Sequence, residues 1–150
     1  MQDTSFVGIF KDIGHVYQQT FMDTYARVVL IKLYTEKTAA TAADFLTGCI
    51  LFFFEEQGIP LLRLLTDHDT AYSGQGGNHI FQLYIALANI DHYITKDSDL
   101  QVSKIFKSFY KTLKTEFYGI ALKEKKFSSL EELQKDLDLW LFAYNEVWPN

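Results

Sequence analysis

Polar and apolar positions alternate over the first part of the chain, and then the period changes. Met1 to Val7 alternates and breaks at Gly8, Gly14 to Asp23 alternates again, and Ala26 to Tyr34 is a third run rich in Val, Ile and Leu. Lys11, Asp12 and Gly14 mark a first turn, and Thr24 to Arg27 a second. Three short strands with tight connections predict an antiparallel meander. A strand that starts at the first residues implies a chain beginning where a larger ancestor was already under way. From Thr38 to Gln57 the period is helical, with Ala39, Ala42, Ala43, Leu46, Ile50, Phe53 and Phe54 on one broad face and Gly58 and Pro60 ending the run.

The next stretch, Leu61 to Tyr72, is an apolar run that stops at an acidic, turn-prone tip. It predicts a buried central strand, and the others are arranged around it. In α/β sheets the working groups sit at the carboxyl ends of strands, which is where Asp67 falls. A carboxylate there serves either as a metal ligand or as the cap of the next turn, and spacing alone leaves both open. Gly74 to Asn78 lacks the Lys and Ser/Thr of a phosphate-binding loop and reads as a linker. Ile80 to Ala88 predicts a short helix, Asp91 to Thr95 a brief strand, and Lys96 to Gln101 a polar loop. Val102 to Leu122 predicts a long amphipathic helix with Val102, Ile105, Phe106, Phe109, Leu113, Phe117 and Ile120 on its apolar side. Ser128-Ser129-Leu130-Glu131 reads as a capping box, Ser128 the N-cap, opening a last helix from Leu130 to Asn145. Three strands, helix, strand, helix, strand, long helix, helix is the order of an α/β three-layer domain with a mixed sheet.

Composition narrows the chemistry. A chain of 150 residues with 48% hydrophobic content makes one domain with a sizeable core. Its net charge of -5 means that any nucleic-acid contact must come from a local patch. The single Cys49 excludes an internal disulfide and a zinc-finger framework, and its apolar neighbours predict a buried structural thiol. The apolar run from Cys49 to Phe54 is too short to span a bilayer, so the expectation is a soluble, cytoplasmic protein with no membrane partner. His15, His68, His79 and His92 fit no ligand spacing. Lys104, Lys107, Lys111 and Lys114 recur at helical spacing along one side of the long helix.

Three stretches in this order carry a resemblance: Gln2-Asp3-Thr4 on the first strand, Leu65-Thr66-Asp67-His68-Asp69-Thr70-Ala71-Tyr72 on the fourth, and Lys107-Ser108-Phe109-Tyr110-Lys111-Thr112 on the long helix. With Phe21-Met22-Asp23-Thr24-Tyr25 and the terminal Tyr144 to Pro149, the chain resembles the catalytic core of DDE insertion-sequence transposases, of the retroviral-integrase superfamily. The likeness runs over residues 1–150 and implies a ribonuclease-H-like α/β fold of about five strands, without the helix-turn-helix DNA-binding part that precedes the core in such transposases. It implies DNA integration and transposition by phosphoryl transfer. Two magnesium or manganese ions held by Asp, Asp and Glu would activate the attacking oxygen and stabilise the leaving one. The DNA would be transposon ends and target, in a bacterial-type cytoplasm at the nucleoid. A second copy, or a full-length transposase, would be the protein partner.

Residue by residue, Asp3 stands at the first acid and Asp67 at the second, while the position of the Glu holds Lys107. An ammonium group cannot ligate magnesium. The second motif also departs from its pattern, with Asp69 for a Gly and Ala71 for a Glu. Glu116 lies roughly 13 Å along the helix axis from Lys107, too far to replace the missing acid. The resemblance therefore implies Asp3 and Asp67 as metal-ligand positions and the stripe Lys104, Lys107, Lys111 and Lys114 as a DNA-facing surface. The departure at Lys107 implies impaired catalysis. A non-catalytic DNA-binding or dimerising regulator and a decayed fragment without function are the alternatives. A salt bridge from Lys107 to Asp3 or Asp67 is the expected substitute for a metal.

Overall fold

The computed structural model describes residues 1–23, 28–66, 79–94, 100–124 and 127–146. Five strands, β1 (Gln2–Phe10), β2 (Gly14–Asp23), β3 (Val28–Tyr34), β4 (Arg63–Thr66) and β5 (Asp91–Ile94), form a sheet in the order β3-β2-β1-β4-β5. β1, β2 and β3 are antiparallel neighbours, whereas β4 runs parallel to β1 and β5 parallel to β4. This is the mixed sheet that the order of elements predicts.

Gly8 does not end β1. The strand continues to Phe10 through a bulge in which Val7 is passed over, Phe6 pairing with Tyr17 and Gly8 with Val16. Gly8 has φ 156°, a value costly for any residue with a Cβ, so the glycine that reads as a break absorbs an extra residue instead. β4 starts at Arg63, two residues later than the apolar run suggests, and Leu62 before it is exposed. The turn expected over residues 24–27, the Gly-rich linker, Asp67, Asp69 and the C-terminal residues after Glu146 fall outside the described residues.

The first helical segment runs as α1 (Ala39–Phe45), a π-helical turn over Leu46–Ile50, and α2 (Leu51–Gln57). Thr38 caps α1, its hydroxyl accepting from the Thr41 N–H at 3.1 Å. Gly58 closes α2 in the left-handed conformation at φ 67°. α3 (His79–Leu87) joins these on one face of the sheet. Their buried residues Phe45, Leu46, Ile50, Phe81 and Ile85 pack with Phe21 and Leu64. Within the Phe triplet only Phe54 is buried, and Cys49 is half-buried rather than enclosed.

On the other face lie α4 (Leu100–Leu113), a second π-helical turn over Lys114–Tyr118, α5 (Gly119–Glu124) and α6 (Leu130–Glu146). Leu100 and Gln101, expected in the polar loop, are already helical. The π turn adds a residue and rotates the helix beyond it. Phe106, Phe109, Leu113 and Phe117 are buried as expected, but thereafter Tyr118 and Ala121 face inward and Ile120 is exposed. Phe109 meets Tyr144 edge-on at 5.1 Å between centroids, fixing α4 against α6. The capping box is displaced by one residue. Ser129 caps α6, accepting from the Glu132 N–H at 3.3 Å, and the Glu132 carboxylate turns back to the N–H and hydroxyl of Ser128. Two serines in a row made the register ambiguous.

Candidate functional site

The sheet is unusual in being polar at its centre. Gln2, Thr4, Gln18, Gln19, Thr20 and Thr66 are all buried. Alternation along the strands sorts them onto two faces. Gln2, Thr4 and Gln19 face α1: the Gln2 amide donates to Gln19 Oε1 at 3.0 Å and to the Ala42 carbonyl at 3.1 Å, and Gln19 donates to Thr4 Oγ1 at 2.7 Å.

Asp3 points the other way, toward α4. Gln2 is paired with Thr66, the last described residue of β4, which puts Asp3 on β1 next to that end of the parallel strand. The carboxyl end of a parallel strand is the setting in which α/β sheets place their chemistry. Asp67 follows Thr66 in the sequence and lies outside the described residues. Thr66 is itself held from β5: its hydroxyl is 2.8 Å from Nε2 of His92, whose ring lies edge-on to Phe81. Burial lowers the His92 pKa below its ordinary 6.5.

Tyr110 is the group that α4 presents to Asp3. Its hydroxyl donates to Asp3 Oδ2 at 2.8 Å. Burial first, and then the neighbouring Asp3 charge, push the phenol well above its usual range, so it remains a donor. Thr20, directly across the β1–β2 ladder from Asp3, and Ser5, two residues along β1, stand on the same face of the sheet. Further back, Tyr118 donates to Gln18 Oε1 at 2.6 Å, and Gln18 Nε2 donates to Thr20 Oγ1 at 2.8 Å. Burial raises the Tyr118 phenol as well.

Lys104, Lys107, Lys111 and Lys114 are all exposed. At 100° per residue they occupy a sector beginning about 40° from Tyr110, on the side away from Phe106 and Leu113. Among the described residues Lys107 makes no ion pair with Asp3; an ion pair lies elsewhere, between Lys32 on β3 and Asp44 on α1 at 3.0 Å. The acceptor expected to meet an ammonium group meets a phenol. Tyr110 is thus the site residue that the sequence reading passes over. Its signal is a hydroxyl on the apolar side of the helix, opposite strands carrying Asp3 and Ser5 on the same face.

Three carboxylates, or a comparable set of hard oxygen donors, are needed to hold a pair of divalent ions. Among the described residues no group of three His, Cys, Asp or Glu comes together. Asp3 is engaged by Tyr110, and the third position carries a cation. The described residues do not fit a metal pair, and no chemical step is derived through one. A cavity of about 860 Å³ opens elsewhere, between Phe21, Phe54, Leu61, Arg63 and Phe106. It is mainly apolar, and among its described lining residues Asp23 is the one carboxylate and Asp3 is not present. No helix among the described residues is long and apolar enough to cross a membrane.

No protein-family model matches the chain, and no curated protein matches it. Solved structures do. The catalytic core domain of BIV integrase aligns over 99% of this chain and 85% of its own, with a TM-score of 0.66 at 15% identity. The HTLV-2 integrase catalytic core domain in complex with magnesium, in its dimeric form, aligns over 97% of this chain and 81% of its own, with a TM-score of 0.58 at 14% identity. A chain of the simian T-cell lymphotropic virus intasome, solved with the PP2A regulatory subunit B56 gamma, aligns at 0.65 and 18% identity over 93% of this chain. This chain spans 46% of that one. The fold is that of integrase catalytic cores, ribonuclease-H-like, with five strands in a mixed sheet and helices on both faces.

Proposed function

We propose that residues 1–150 are an integrase-like core of the transposase type that holds DNA and does not cut it. The observation that carries this reading is the occupancy of the three positions around the β1–β4 junction. Asp3 stands on β1, Asp67 follows the end of β4 in the sequence, and α4 offers an exposed Lys107 where the resemblance calls for Glu. The assignment of function from fold is an analogy, and the site residues give it its content. Magnesium or manganese chemistry requires the third acid, and Lys107 removes it while adding a positive charge to the surface.

The DNA contact falls to Lys104, Lys107, Lys111 and Lys114. Such a stripe neutralises phosphates, so its binding is salt-sensitive and indifferent to sequence. The HTLV-2 core has been solved in dimeric and trimeric forms, which supports a second copy, or a full-length relative, as the protein partner. The setting is a bacterial-type cytoplasm, at the nucleoid. Holding DNA without cutting it makes the chain a regulator that competes with an intact transposase.

The test is a gel shift on labelled duplex DNA alongside a nicking assay in manganese. The expected result is a salt-sensitive shift with no nicked product. Metal-dependent nicking abolished by Asp67→Asn contradicts the reading.

A further inference from the structure

The cavity of about 860 Å³ is lined from both faces of the sheet. Phe21 and Phe54 belong to the apolar cluster under α1 and α3, whereas Met22 and Phe106 belong to the one under α4 and α6. Those clusters lie on opposite faces, so one cavity reaches both only where no strand lies between them. The pairing locates that gap. The β1–β2 ladder runs to Met1, which exchanges hydrogen bonds with Met22 at 2.7 and 2.9 Å. Among the described residues β1 meets β4 at one pair, Gln2 with Thr66, although β4 begins three residues earlier, at Arg63. Over that stretch β4 is paired with β5, Arg63 with Asp91 and Leu64 with His92, and its other side lies toward the cavity. Asp23, the last residue of β2, stands across from it.

We propose that this slot takes an extended apolar segment of another polypeptide, which adds to the sheet between β2 and β4 in line with β1. Three features specify the occupant. The N–H and C=O groups of a strand point to its two sides, and β5 satisfies those of β4 on one side only, so a segment running parallel to β4 supplies the other partner. In a sheet each residue takes about 3.3 Å along the strand, 4.8 Å across and 10 Å between faces, roughly 160 Å³, so the slot has room for about five. Successive side chains point to opposite faces, toward Phe54 on one and Ile105 and Phe106 on the other, so both sets must be apolar. At the upstream end Ile59, Leu62 and Arg63 are exposed, and Arg63 is the one cation among the described lining residues, which suits an acidic first residue in the occupant. The slot uses no residue of the lysine stripe, so the proposal stands apart from the DNA reading.

The test is fluorescence anisotropy of the full chain, with no tag before Met1, titrated into a labelled and capped peptide Glu-Ile-Val-Leu-Val. Saturable binding is expected. N-methylation of the adjacent Val and Leu, one of which must face β4, removes a ladder donor while keeping both side chains and is expected to weaken binding about tenfold. Arg63→Glu, an exposed position, is expected to weaken the peptide roughly threefold and to prefer the same peptide beginning with Lys. A chain with Glu-Ile-Val-Leu-Val fused before Met1 is expected to melt higher and to bind no free peptide. Absent binding, equal binding of the methylated peptide, an Arg63→Glu chain without the preference for Lys, or undiminished binding to the fused chain would each overturn the proposal while leaving the DNA reading intact.

Discussion

Asn145, near the end of α6, makes both hydrogen bonds of a β-ladder with Val29 on the edge strand β3. Its Oδ1 accepts from the Val29 N–H at 3.0 Å, and its Nδ2 donates to the Val29 carbonyl at 3.0 Å. Gln134, about three turns earlier on the helix, spans two residues of the same strand, accepting from the Leu33 N–H at 2.7 Å and donating to the Ile31 carbonyl at 3.2 Å. Two amide side chains therefore close an edge that would otherwise offer its backbone to another chain.

Removing one amide should cost stability and expose the edge. Asn145→Ala leaves a donor and an acceptor of Val29 without their partner, and the expected loss is about 1–3 kcal/mol. Urea unfolding measures it. Light scattering should show concentration-dependent self-association in Asn145→Ala/Gln134→Ala and not in the native chain. A double variant as stable as the native protein would show that water replaces both amides at no cost.

The lysine stripe makes a quantitative prediction for DNA. Removing one lysine–phosphate pair should reduce the slope of log K against log salt by about 0.9, so Lys107→Ala/Lys111→Ala should lower it by roughly 1.8. The weakening should be equal on unrelated duplexes. An unchanged slope would place the DNA on another surface.

His92 makes the stability depend on pH. Burial holds its folded pKa below the ordinary 6.5, so on acidification the unfolded chain takes up the proton first. With more protons bound in the unfolded state, stability rises with pH. The contribution is complete above 6.5 and is lost as pH falls from there through the depressed folded value. Urea midpoints between about pH 7.5 and 5 should therefore decline more steeply for the native chain than for His92→Gln. Parallel declines would mean that His92 is as easily protonated folded as unfolded.

The framework of the fold was legible because it depends on local period. β2 and the helical runs over residues 39–57 and from Val102 follow directly from alternation and from the i, i+3, i+4 pattern. Where the reading failed, the cause was a residue that breaks period. The bulge at Val7 and Gly8 extended β1, and the π turn at Lys114–Tyr118 exchanged Ile120 for Ala121 in the core. Neither leaves a mark in composition. The amides of Gln134 and Asn145 were invisible for another reason. Each bonds a strand more than a hundred residues away, and no local pattern marks a side chain that completes a distant ladder. Asp3 was singled out through a motif, but its partner Tyr110 was not, because a tyrosine between lysines and phenylalanines reads as one more apolar position. Only the sheet opposite shows what its hydroxyl is for.

The central claim is that position 107 disarms the site, and a calorimetric titration with manganese on the native chain and on Lys107→Glu tests it most directly. The account predicts no binding heat for the native chain and saturable binding for Lys107→Glu that Asp67→Asn removes. Saturable binding to the native chain, abolished by Asp67→Asn, would contradict it and show that another acid completes the site.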